Sequence, residues 1–176
     1  MKYLFSALLL IILLVTACSP SANLGRPNYT IVSDTETKVL RGVLSRSLIE
    51  NDTSFKWFKE NMQYGTADAS AVAAFKQKAG QFSILIFGGT WCHDTQNLLP
   101  KFYRLADKSG LPETNISFVG LDRKKTTVLH LQIKWKIVSV PTFIVVNKKG
   151  YEVGRVVEYG KSGNMEKELG EIVGKM

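Results

Sequence analysis

Only two cysteines occur in the chain, Cys18 and Cys92, so no framework of disulfides can hold it together. Its longest apolar run, Leu4 to Val15, is shorter than the roughly 20 residues a membrane-spanning helix requires. Internal repeats and low-complexity blocks are absent, which leaves an ordinary folded domain. Lys and Arg exceed Asp and Glu, 23 to 15, for a net charge of +8, yet the bases are scattered. No basic stripe with interleaved aromatics marks a nucleic-acid surface, so a solvated face near anionic lipid is the better reading. What the chain does have is core: 45% of its 176 residues are hydrophobic, with 9 Phe, 3 Trp and 6 Tyr. Without a targeting segment, about 150 residues remain, which suits one domain.

The N-terminus supplies that targeting segment. Lys2 gives a positive start, and the apolar run behind it has the length of a signal-peptide core. It ends in Val15-Thr16-Ala17-Cys18, which resembles the lipobox of bacterial lipoproteins, where diacylglycerol is attached to the cysteine thiol before cleavage. An ordinary secretory signal cleaved near Ala17 is the competing reading. The resemblance implies a chain anchored to a membrane through lipid on Cys18 and facing the periplasm. With lipid on Cys18, Cys92 is the sole free thiol and no intramolecular disulfide can form; a Cys18–Cys92 disulfide is the competing reading, against which Cys18 precedes a flexible tether.

Residues 1–17 are thus expected as signal peptide, 18–30 as tether, 31–80 as an extension packed on the domain, and 81–176 as the domain proper. Pro20, Gly25 and Pro27 among small polar residues mark the tether. Between Lys38 and Ile49 the apolar spacing fits helix and strand alike, and it is read as a strand or extended arm. Asp52 or Thr53 can cap a short helix presenting Phe55, Trp57, Phe58 and Met62, and Asp68 can cap Ala69 to Ala79. Phe82 to Phe87 is a continuous apolar run ending in Gly88-Gly89, as in a buried central strand. Thr95 to Lys108 reads as a helix, Ile116 to Leu121 as a second buried strand, and Thr126 to Leu131 as helical. Asn147-Lys148-Lys149-Gly150 is a hairpin turn between strands Thr142–Val146 and Tyr151–Val157, and Ser162 to Val173 closes the chain as a helix. This order predicts an α/β fold with a mixed sheet and helices on both faces.

Gly89-Thr90-Trp91-Cys92-His93-Asp94-Thr95 joins a buried strand to a helix start. Unpaired N–H groups and the positive helix end favour a thiolate there. At this point the chain resembles the thioredoxin superfamily. Trp91-Cys92 stands where the family has Trp-Cys-x-x-Cys, Pro100 where it has a kinking proline, and Val140-Pro141-Thr142 where it has the cis-proline loop. Gly150 and Gly160 fit its hairpin turn and the glycine before its last helix. The resemblance implies a thioredoxin-like three-layer fold, with Cys92 as the reacting thiol and Trp91, His93, Val140 and Pro141 beside the substrate. The Val140 backbone would pair with an extended segment while Cys92 attacks its sulfur.

Two departures stand out. The resolving cysteine is replaced by Thr95, and the buried acid that many thioredoxins carry six residues before the first cysteine is replaced by Ile86. The losses are coherent, since the acid serves the missing thiol. What remains is monothiol chemistry with no cofactor: Cys92 forms a mixed disulfide with an envelope protein, and an external thiol or reductase resolves it. Thr95 could donate its hydroxyl to the thiolate or simply cap the helix. His93, when protonated, would add to thiolate stability, whereas Asp94 would oppose it. A binding module that keeps the fold without catalysis is the alternative. Metal handling by Cys92, His93 and His130 is disfavoured, because the two-cysteine spacing of copper chaperones on this fold is missing.

Overall fold

A computed structural model describes residues 24–32 and 36–176 of the chain. Cys18, the signal segment and the first part of the expected tether lie outside the described residues. Among the described residues, six strands form one mixed sheet and six helices accompany it.

The central strand is β3 (Phe82–Gly88), buried along nearly its whole length because it is apolar on both faces. It pairs parallel with β4 (Ile116–Gly120) and antiparallel with β5 (Thr142–Asn147). β5 continues through Asn147–Gly150 into β6 (Glu152–Val157), with Gly150 at φ +82° in the turn. The Asn147 side chain accepts from the backbone N–H groups of Lys149 and Tyr151, which fixes that turn.

The N-terminal extension completes the sheet rather than lying on it. β2 (Val39–Leu44) pairs antiparallel with β4, and β1 (Asn28–Val32) pairs antiparallel with β2. β1 thus begins inside the segment expected as tether. Even Leu24 is packed, its N–H donating to Ser117 Oγ at 3.3 Å. The ambiguous run Lys38–Ile49 resolves into both of its options, β2 and then α1 (Arg46–Asn51), capped by the Ser45 hydroxyl. Asp52 caps a 3-10 turn (Thr53–Phe55) leading into α2 (Lys56–Met62), and Asp68 caps α3 (Ala69–Gln77).

α4 (His93–Ser109) is the long helix that follows β3, and α6 (Met165–Gly174) ends the fold. Pro100 sits inside α4 and cannot donate to the carbonyl of Gln96, one turn back. That carbonyl instead accepts from Asn61 Nδ2 on α2 at 3.0 Å, so the buried acceptor is satisfied.

The two sheet faces are covered unequally. One buries Ile84 and Ile86 of β3 with Phe118 and Phe143 under α1 to α4 and α6, through Ile49, Phe58, Phe75, Phe102 and Leu169. The other buries Leu85, Phe87, Val119, Ile144 and Val146 under a thinner layer: Leu131 of the four-residue helix α5 (Leu131–Lys134), with Leu24, Trp135 and Ile137. The helix expected over Thr126–Leu131 is broken. A 3-10 turn (Val128–His130) occupies the segment, and Leu129 and His130 take left-handed backbone at φ +55° and +51°. Thr127 is extended, its N–H donating to the Gln132 side chain at 3.2 Å and its hydroxyl to Gly120 O at 2.9 Å.

Candidate functional site

Cys92 is the N-cap residue of α4, with extended backbone that turns into the helix. Its N–H donates to Gly89 O at 2.9 Å, closing the turn that carries the chain off the end of β3. The thiol is free and half-buried, and Sγ lies 3.4 Å from the Val140 carbonyl oxygen, to which it donates. The Val140–Pro141 peptide bond is cis. Behind it, the Pro141 carbonyl accepts from the Glu158 N–H at 2.7 Å, which ties the loop to the end of β6. The structure therefore brings Cys92, Trp91, Val140 and Pro141 together at one end of the sheet.

Trp91 is held by three contacts. Its Nε1 donates to Leu121 O at 2.9 Å, and the Arg123 guanidinium lies over the ring at 5.4 Å from the centroid. Its indole also packs close to Gly89, where an added Cβ would stand 2.6 Å from Cε2 and Nε1. Only glycine leaves room for that approach.

Thr95 is fully buried one turn along α4, at the position of the absent resolving thiol. Its Oγ1 accepts from the Gly89 N–H at 3.2 Å. No hydrogen bond joins it to Cys92, so the expected donation to the thiolate is not the arrangement seen; the hydroxyl supports the turn from beneath. Ile86 is likewise fully buried, among the apolar residues facing α4. His93 is exposed. His130 stands on the thinly covered face, and among the described residues no group of three or more His, Cys, Asp or Glu side chains could hold a metal.

The residue that sequence reasoning missed is Thr90. It is 1% exposed, and its hydroxyl donates to Lys38 O at 2.9 Å while accepting from Leu40 N–H at 3.2 Å. β2 runs past the end of β4, whose last partner pair is Gly42 with Gly120. The Thr90 side chain stands in for the missing strand there. Gln96 Nε2 donates to the Thr90 carbonyl at 3.0 Å, and Gln96 O in turn accepts from Asn61. One chain of hydrogen bonds thus runs from α2 through the Cys92 turn to β2. The only sequence signal for it was a buried-type threonine directly after Gly88-Gly89.

The end of a central strand that presents one thiol at a helix start, facing a cis-proline loop, defines a thioredoxin-like domain with a single active-turn cysteine. A thioredoxin family model matches residues 46–168, more than half of the chain, and the protein belongs to that family. Among solved structures, thioredoxin from Fasciola hepatica is 24% identical with a TM-score of 0.41, covering 58% of this chain and 88% of that one. The reduced thioredoxin pre-protein of Schistosoma mansoni is 24% identical with a TM-score of 0.40, covering 63% and 93%. A protein of unknown function from Pseudomonas aeruginosa is 14% identical with a TM-score of 0.46, covering 76% and 89%. No curated protein matches the chain.

Proposed function

We propose that this protein is a lipid-anchored, periplasm-facing thiol–disulfide exchange protein that works through the single thiol of Cys92. The observation that carries the reading is the half-buried Sγ at the start of α4, 3.4 Å from the Val140 carbonyl oxygen. A thiol so placed stands at the positive end of α4 and has an exchangeable backbone partner in the Val140 carbonyl.

The Cys92 thiolate would attack one sulfur of a substrate disulfide, forming the mixed disulfide and expelling the other substrate sulfur as a thiolate. On a sulfenic acid, the same attack by the thiol would release water. Thr95 offers no second sulfur, so an external thiolate must attack the substrate sulfur of the mixed disulfide, joining it and returning Cys92 as thiolate. Trp91 and the Val140–Pro141 loop would position an extended substrate segment, with His93 at the exposed rim. The partners are envelope proteins carrying thiols or disulfides, an external thiol or reductase, and the membrane through lipid on Cys18. No cofactor is called for.

The test is to quench cells with acid, alkylate free thiols, and identify the proteins disulfide-linked to Cys92 by mass spectrometry. Mixed disulfides that vanish in Cys92→Ser are expected. If Cys92 is recovered entirely as free thiol, and extended peptides still bind the purified protein, the fold serves as a binding module instead. Intact mass of the purified protein separately reads the anchor: a mature chain starting at Cys18 with diacylglycerol is expected, and an unmodified Cys18 would refute it.

A further inference from the structure

The thinly covered sheet face is closed by residues 123–138, which fold into one cap. Lys125 Nζ donates to Val138 O at 2.7 Å, the Ile137 N–H to Gln132 O at 2.8 Å, and Arg155 Nη1 to Trp135 O at 3.0 Å. Leu131 points inward, yet Leu129, Ile133 and Val138 are 83%, 67% and 73% exposed. Three large apolar side chains turned outward from one short segment call for an occupant.

Charge identifies the kind. From Arg123 to Tyr151 the chain has no acidic residue, while Arg123, Lys124, Lys125, Lys134, Lys136, Lys148 and Lys149 fall within it. Lys124, Lys134 and Lys136 are exposed and make no ion pair among the described residues. The helical face is mixed instead, with Glu60, Asp94, Asp107, Glu113, Glu166, Glu168 and Glu171 on α2, α4, α6 and the turn before β4. Exposed apolar side chains interspersed along the segment with Lys124, Lys134 and Lys136 suit the interface of an anionic bilayer.

The chain path agrees. Leu24 packs against this same face. Six residue steps separate it from Cys18, so a fully extended segment reaches at most about 20 Å. A lipid on Cys18 would hold this face within that distance of the membrane.

We infer that the 123–138 cap docks on anionic phospholipid, laying the thinly covered sheet face against the bilayer. Trp91 and Cys92 pack at the edge of that face, so docking sets the thiol at the rim of the contact. The tether distance holds only with lipid on Cys18, as proposed above; the charge and exposure of the cap hold without it.

The full chain, purified from membranes, is reconstituted into vesicles of phosphatidylcholine with or without phosphatidylglycerol, and amide deuterium uptake is read across 123–138. Severalfold slower uptake on the anionic vesicles is expected. It should be lost in high salt, where screening falls to a few ångströms, and in Leu129→Glu/Ile133→Glu and Lys134→Glu/Lys136→Glu. Those residues are exposed, so the variants should keep the wild-type melting temperature. Lys59→Glu/Lys108→Glu, on α2 and α4, should leave the protection intact. Equal uptake on both vesicle types overturns the proposal. Protection that appears only when membrane proteins are added back also overturns it, in favour of a protein partner. An intact mass without lipid would refute the anchor alone, since co-sedimentation of the same sample with anionic vesicles still reads the docking.

Discussion

Thr90→Val isolates the bond that holds the Cys92 turn to the rest of the sheet. Valine has nearly the shape of threonine, so packing around this 1%-exposed residue is preserved. What is lost is the donor to Lys38 O and the acceptor for the Leu40 N–H. Leu40 is fully buried, so its N–H has no water to turn to. An orphaned buried donor costs roughly 1–3 kcal/mol, and the abandoned carbonyl adds less, because it has a second lone pair. A loss of about 2 kcal/mol corresponds to a fall of about 4–8 °C in Tm for a domain of this size. Thr90→Ser is the control: it keeps both bonds and deletes one buried methyl, at about 1 kcal/mol. Chemical denaturation should therefore rank wild type above Ser and Ser above Val. Amide exchange adds residue-level resolution, with the Leu40 amide faster in Val and not in Ser. Should Val equal or exceed Ser in stability, the hydroxyl does not bridge the turn to β2 and the reasoning fails.

Thr95→Cys places a second sulfur where the fold expects one; the Gly89 N–H loses its oxygen acceptor, so the reduced variant should be less stable by about 1–2 kcal/mol. It should gain insulin-reducing activity in dithiothreitol that the wild type lacks, slowed by Ile86 in place of an acid; a variant that forms its disulfide yet stays inert would argue for the binding module. Gly89→Ala drives a Cβ to 2.6 Å from the Trp91 ring, so the indole must swing away from Leu121 O, at an overpacking cost of about 1–3 kcal/mol. Unchanged tryptophan fluorescence and stability would contradict that geometry. Glu166, buried at the start of α6, has its carboxyl pushed up by desolvation, partly offset by Arg104. A raised folded value means its contribution is fullest at acid pH and is lost as pH rises through it. Glu166→Gln should thus gain on the wild type in urea melts between the ordinary glutamate range and neutrality, and a difference that is flat with pH would refute the assignment.

What sequence alone determined were the features with local causes. The apolar run of β3, the Asp52 and Asp68 caps and the Asn147–Gly150 turn rest on contacts a few residues long, so periodicity and composition reveal them. The Trp91-Cys92 turn and the Val140-Pro141 loop were legible for the same reason, each being a short motif with its own backbone geometry. Their meeting across 3.4 Å was implied only by resemblance. Tertiary structure decided what depends on partners far along the chain. Thr90 and Leu40 are 50 residues apart, and Asn61 and Gln96 are 35 apart; no window of sequence contains either pair. The same holds for β1 and β2, whose pairing with each other and with β4 drew the supposed tether and the ambiguous arm into the sheet. Thr95 shows the limit most plainly. Its position in the motif was readable, but the direction of its hydroxyl was set by the Gly89 N–H that the folded turn placed above it, because a buried donor takes the nearest acceptor it is given.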